Sequence, residues 1–175
     1  LVEHIVPLQP ELLITVDNGI ACHAGVEAAK TRGWQVLVTD HHLPGDVLPP
    51  ADAIINPNLP NDEFSSKVMS GVGVMFYLLL ALRKKMRDLD LLVRPEPDLS
   101  TLLDLVAVGT VADLVSLDYN NRLLVSAGIK RFRRKQCQVG LKALAEISQR
   151  DITKLVASDI GFAIAPRLNA AGRLE

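Results

Sequence analysis

Two short runs near the start of the chain are apolar almost throughout rather than alternating. Leu12-Leu13-Ile14-Thr15-Val16 and Trp34-Gln35-Val36-Leu37-Val38-Thr39 have the length and β-branched content of buried strands. Each run stops abruptly. The first ends at the turn signal Asp17-Asn18-Gly19, and the second at Asp40-His41-His42, followed by Leu43-Pro44-Gly45, which cannot continue a strand. Between them, Ala21 to Arg32 reads as a helix with Ala24, Val26, Ala28 and Ala29 as its small apolar positions, and Gly33 stands where a C-cap glycine belongs. Strand, helix and strand make a βαβ unit, so the two strands are expected to be parallel and joined by a right-handed crossover. Parallel strands put their carboxyl ends on one sheet edge, which brings Asp17 and Asp40 into the same neighbourhood.

The rest of the chain is patterned differently. Pro44 to Pro50 is a Pro/Gly loop, and Ala51 to Pro57 reads as a third strand stopped by proline. Asn58 to Ser66 is polar loop. Ser70-Gly71-Val72-Gly73 opens an apolar helix through Leu82 that ends in the charged run Arg83 to Asp88. After a break at Pro95 and Pro97, a second long helix is predicted from Asp98 to Val108, interrupted at Gly109-Thr110 and leading into Val111 to Val115. Tyr119 to Lys135, Gly140 to Ile147 and Asp151 to Ile164 read as further helices, and Pro166 to Arg173 closes the pattern. The fold class is α/β: a parallel sheet of βαβ units, Rossmann-like, over residues 1–88, followed by a mostly helical part over 98–175 belonging to the same region.

Composition narrows the picture further. The 175 residues are 49% apolar and only 4% aromatic, so Leu, Val, Ile and Ala must build the core. A formal charge of −1 gives no global basic excess, so any nucleic-acid contact has to be local. Cys22 and Cys137 are far apart with no Cys-x-x-Cys spacing, which points away from a disulfide framework and toward a reducing, cytoplasmic location. The longest apolar run, Val72 to Leu82, has the length of a core helix, so no membrane association is expected. The first residue is Leu1 rather than Met, and the chain reads as a piece of something longer.

The chemistry-bearing residues gather at the predicted sheet edge. Asp17 would ordinarily form an Asx turn with Asn18-Gly19, and Asp40, His41 and His42 could be a turn cap and two surface imidazoles. Two acids and two imidazoles converging on one edge would repel or stay unsatisfied without a cation, and a mixed O/N donor set suits a divalent metal. Asp113 lies in the apolar context Val108 to Val115, where a carboxylate needs a partner, whereas Asp104 reads as a core-satisfied acid. Lys130-Arg131-Phe132-Arg133-Arg134-Lys135 sets an aromatic among five cations. It reads first as the solvated end of a helix and second as a nucleic-acid track with a stacked base.

Taken together, the Thr15-Val16-Asp17-Asn18-Gly19 and Thr39-Asp40-His41-His42 strand ends and the Gly109-Thr110-Val111-Ala112-Asp113 segment resemble the DHH phosphoesterases. The Ser70-Gly71-Val72-Gly73 helix start, Val108 to Val115 and Ala165-Pro166-Arg167-Leu168-Asn169-Ala170-Ala171-Gly172-Arg173 are similar to the branch of single-strand-specific 5′→3′ DNA exonucleases acting in repair and recombination. The resemblance implies that Asp17 bridges two divalent metals, manganese or magnesium, and that His41 and Asp113 are further metal ligands. Asp40 would orient the ligands, and His42 would act in catalysis and help position the phosphate. Arg167, Asn169 and Arg173 resemble a phosphate-contact element, which agrees with the bidentate match between guanidinium and phosphate. The implied reaction is two-metal hydrolysis of phosphodiester bonds in single-stranded DNA, by a monomer that a single-strand-binding protein or a helicase would accompany.

The chain departs from the family pattern in one respect. The family carries an Asp-x-Asp before the residue matching Asp17, and here Glu3 is the only acid in the ten residues ahead of Glu11. The DHH-associated domain that follows in the family is also absent from this sequence. An internal fragment of the catalytic domain, itself with little activity, is therefore expected. The other readings are a DHH phosphoesterase acting on oligonucleotides, cyclic dinucleotides or pyrophosphate, and a module that binds without catalysis.

Overall fold

The computed structural model describes residues 2–171. The chain divides into two compact units, Leu1–Met75 and Phe76–Glu175.

The first unit opens with a short helix α1 (Val2–Ile5). It is built on a three-stranded parallel sheet in the order β1-β2-β3, with β1 at Leu12–Val16, β2 at Gln35–Thr39 and β3 at Ala53–Ile55. Helix α2 (His23–Thr31) makes the crossover from β1 to β2, as the sequence predicts. Gly33 follows its C-cap with φ +81°, a left-handed conformation that costs glycine nothing, and its N–H reaches the Lys30 carbonyl at 2.9 Å. Val26, Ala29, Trp34, Val36 and Val38 form the core of this unit, with Leu13 and Ile54 packed against it. Strand β1 is not buried as its composition suggests. Among the described residues it is the outer strand, with Leu12, Ile14 and Val16 each more than two-fifths exposed while Leu13 packs inward.

Helix α3 (Gly71–Asp88) has its first turn in the first unit and the remainder in the second. In the second unit, a 3-10 turn over Leu99–Leu102, capped by the Asp98 side chain, leads into α4 (Leu103–Ala112). Gly109-Thr110 does not interrupt this helix as expected. Thr110 is fully buried, and tertiary packing overrides the propensity cost of one glycine. Helices α5 (Tyr119–Arg133) and α6 (Val139–Ile147) follow. Gly128 lets α4 and α5 approach closely: a Cβ there would lie 2.2 Å from the Leu103 carbonyl oxygen. Asp104 is the core-satisfied acid that the sequence indicates, fully buried and accepting the Gln138 N–H at 2.6 Å, which ties α4 to the start of α6.

The helix expected over Asp151 to Ile164 is broken. A 3-10 turn (Ile152–Lys154) gives way to extended backbone, and helical structure resumes as α7 (Ala157–Asp159), a π turn (Ile160–Ile164) and α8 (Ala165–Ala171). Pro166 offers no N–H to the preceding turn, and the widened π turn takes up the mismatch just ahead of it. Ala107, Phe132, Leu155, Ile160 and Ile164 are the centre of this unit's core.

Candidate metal centre

Register sets the site. Val16 pairs with Thr39 across β1 and β2, and Thr39 pairs with Ile55 across β2 and β3. Asp17, Asp40 and Asn56 are thus the next residue on each strand and form one row across the carboxyl edge of the sheet. Ligand sites of parallel sheets lie at this edge.

Asp17 sits at φ +62°, in the left-handed region, with its N–H bonded to the Thr39 carbonyl at 3.0 Å. Such a conformation costs a non-glycine residue on the order of 1 kcal/mol and is concentrated at functional positions. Its half-exposed carboxylate lies 2.9 Å from His41 Nε2. Gly71, at the start of α3, leaves it room: a Cβ at 71 would fall 2.3 Å from Asp17 Oδ1.

Asp40 is 1% exposed and gathers the donors around it. Its Oδ2 accepts the Ile20 N–H at 2.9 Å, and its Oδ1 accepts the His41 N–H at 2.8 Å and the His42 N–H at 3.1 Å. His42 Nδ1 approaches the same Oδ1 at 2.6 Å. Burial pushes the Asp40 pKa up and is the largest single influence. The bonds from the Ile20 N–H, the His42 ring and the His42 and His41 N–H groups together outweigh it, so the carboxyl stays below its ordinary range. An ionised carboxylate only accepts, so His42 Nδ1 carries the hydrogen and the opposite ring nitrogen has the lone pair when the imidazole is neutral.

The loop is held from β3. Asn56 Nδ2 donates to the His42 carbonyl at 2.8 Å, and Asn58 Nδ2 to the His41 carbonyl at 2.6 Å. Sequence reading missed both asparagines and the space-making role of Gly71. The signal was there in Asn56-Pro57-Asn58, two amides flanking the proline that stops a strand on the same edge.

Asp17, Asp40, His41 and His42 each offer a ligand atom, and these atoms lie within 4.8 Å of one another. Carboxylate oxygen with imidazole nitrogen is a donor set that fits a divalent transition ion such as manganese, and Asp40 bonded to His42 is the arrangement that fixes a ligand ring.

The other residues singled out from the sequence lie in the second unit. Asp113 is the exposed C-cap of α4, its N–H bonded to the Gly109 carbonyl at 3.0 Å. Arg167 and Asn169 are exposed on α8, two positions apart and so on different sides of it, with Arg167 Nη1 donating to the Ala163 carbonyl at 2.6 Å. Arg173 lies outside the described residues. Phe132 is fully buried and offers no ring to a base, so the run around it is the basic end of α5.

An Asp-His-His triplet stands at the carboxyl edge of this parallel sheet, and residues 1–110 match the family model for the DHH family, N-terminal domain. The chain belongs to the DHH family. It is 61% identical to the single-stranded-DNA-specific exonuclease RecJ of Salmonella typhimurium and 59% identical to that of Escherichia coli, in each case over 94% of this chain and 29% of the relative. It therefore spans less than a third of those relatives' length. The crystal structure of RecJ in complex with Mn2+ from Thermus thermophilus superposes with a TM-score of 0.80 at 37% identity, over 98% of this chain and 24% of that one. No helix among the described residues is long and apolar enough to cross a membrane.

Proposed function

We propose that this chain is part of the catalytic region of a metal-dependent exonuclease that hydrolyses single-stranded DNA from its 5′ end, in DNA repair and recombination. The observation that carries the reading is the convergence of Asp17, Asp40, His41 and His42 at the carboxyl edge of a parallel sheet. The relatives named above support it. Residues 1–88 and 98–175 serve one catalytic region, and the activity belongs to the longer polypeptide.

Asp17, His41 and Asp113 would hold manganese or magnesium, which when bound supplies an activated water and stabilises the leaving oxygen. The protein's own contribution is orientation. Asp40 fixes the His42 ring through Nδ1, which leaves Nε2 at the exposed edge of that ring to donate to a phosphate oxygen when the ring is protonated. Asn56 and Asn58 keep the histidine backbone in place. Arg167, Asn169 and Arg173 are assigned to phosphate contact. We further propose a cytoplasmic location, a monomeric enzyme, and a helicase or single-strand-binding protein that presents the strand.

The test pairs manganese calorimetry with hydrolysis of 5′-phosphorylated single strands, duplexes and dinucleotides. The 175-residue chain is expected to bind manganese weakly and turn over little. The full-length polypeptide should degrade single strands and lose that activity in Asp17→Ala and His41→Ala. Hydrolysis restricted to dinucleotides would overturn the assignment to long DNA, and unchanged activity in both variants would overturn the metal centre.

A further inference from the structure

We propose that the outer face of α5, built from residues other than those of the metal centre, is a further nucleic-acid contact that holds the sugar-phosphate backbone of a single strand. In a chain of net charge −1, no acid occurs between Asp118 and Glu146, and that stretch carries seven of the nineteen Lys and Arg residues. Three of the seven, Arg122, Lys130 and Arg133, line one groove of about 350 Å³ together with Ser126. Residues 122, 126, 130 and 133 recur at helical spacing and so share one face. Arg122 and Lys130 are eight residues apart, or about 12 Å along the axis, with Arg133 a turn beyond. Arg122 donates to the Leu117 carbonyl at 2.9 Å and Arg133 to the Leu155 carbonyl at 2.9 Å, which fixes both stems while other guanidinium N–H groups remain for a ligand. Among the described residues, no carboxylate pairs with any of the three cations.

Charge complementarity therefore calls for a polyanion. The floor is aliphatic, with Val125 and Ile129, and no aromatic ring among the described residues lines it. Bases are not stacked there, so the contact reads backbone rather than sequence. The choice of DNA over another polyanion rests on the exonuclease reading above.

The experiment measures anisotropy of a labelled oligothymidylate bound to the full-length protein in EDTA, at several salt concentrations. Losing two phosphate contacts lowers the salt slope by about 1.4 and the affinity at 0.1 M salt by about 25-fold. Arg122→Glu/Lys130→Glu should show that loss. Lys84→Glu/Lys85→Glu, with the same charge change on exposed positions of α3, should show much less. Equal losses in the two pairs, or loss of poly-glutamate binding with oligonucleotide binding intact, would overturn the proposal. A dinucleotide is shorter than the roughly 12 Å between Arg122 and Lys130, so its hydrolysis with manganese reports separately on the exonuclease reading and should be unchanged in the α5 pair.

Discussion

Replacing Gly71 by alanine tests the metal centre with a single methyl group. A Cβ at this position would lie 2.3 Å from Asp17 Oδ1, 2.4 Å from its Cβ and 2.5 Å from its Cγ. Ordinary contact needs about 3.5 Å, so the Asp17 side chain or the start of α3 must move by roughly 1 Å. Rotation of the carboxylate alone does not relieve the clash, because the Asp17 Cβ is fixed by its backbone. The helix offers little in return, since Gly71 is its first residue and the preference for alanine over glycine belongs to helix interiors. The expected signature is twofold: a loss of about 1–3 kcal/mol in thermal stability, as for other overpacked sites, with manganese affinity reduced 10- to 100-fold, as for other losses of ligand positioning. Titration calorimetry and thermal unfolding read the two arms. Gly73→Ala is the control, because its Cβ would meet mainly Met69 Cε, the movable end of a flexible side chain, at 2.7 Å. A Gly71→Ala protein that binds manganese as tightly as the parent would refute the argument that Gly71 makes room for a metal-binding Asp17.

Three further outcomes follow from particular contacts. Asp40→Asn keeps the shape but turns an amide toward donors that now meet a carboxylate, so urea unfolding should show a loss of about 1–3 kcal/mol together with weaker manganese binding; unchanged stability would mean that those bonds do not matter. The Lys30 ammonium, first, and the Val36 N–H hold the exposed Asp52 carboxyl below its ordinary value of 3.8. Its contribution is thus fully present above that value and is lost as pH falls through the lowered one; Asp52→Asn should flatten this part of an acid-unfolding curve, most visibly at low salt, and an unchanged curve would count against it. Gly128→Ala pushes a methyl into the Leu103 carbonyl oxygen, a backbone atom that cannot swing aside, and should destabilise by about 1–3 kcal/mol in urea despite alanine's better helix propensity; a more stable variant would contradict the tight α4–α5 packing.

The sequence by itself determined the local elements and their order. Apolar runs stopped by Asp17-Asn18-Gly19 and by Asp40-His41-His42, with a glycine-ended helix between them, imply parallel strands, and parallel strands share a carboxyl edge whatever else the chain does. That single consequence of chirality and hydrogen bonding brought two acids and two imidazoles together on paper. Only the tertiary structure decided their unequal roles. Asp40 is buried among donors and positions a ring, while Asp17 stands half exposed on a left-handed backbone in the space Gly71 leaves, because burial depends on what packs against a residue from distant parts of the chain. The same reason explains why Gly109 does not break α4, why Phe132 faces the core rather than a base, and why Asn56 and Asn58 fasten a loop more than ten residues earlier. Periodicity records which face of an element is apolar, but the partner that covers that face is chosen by the fold as a whole.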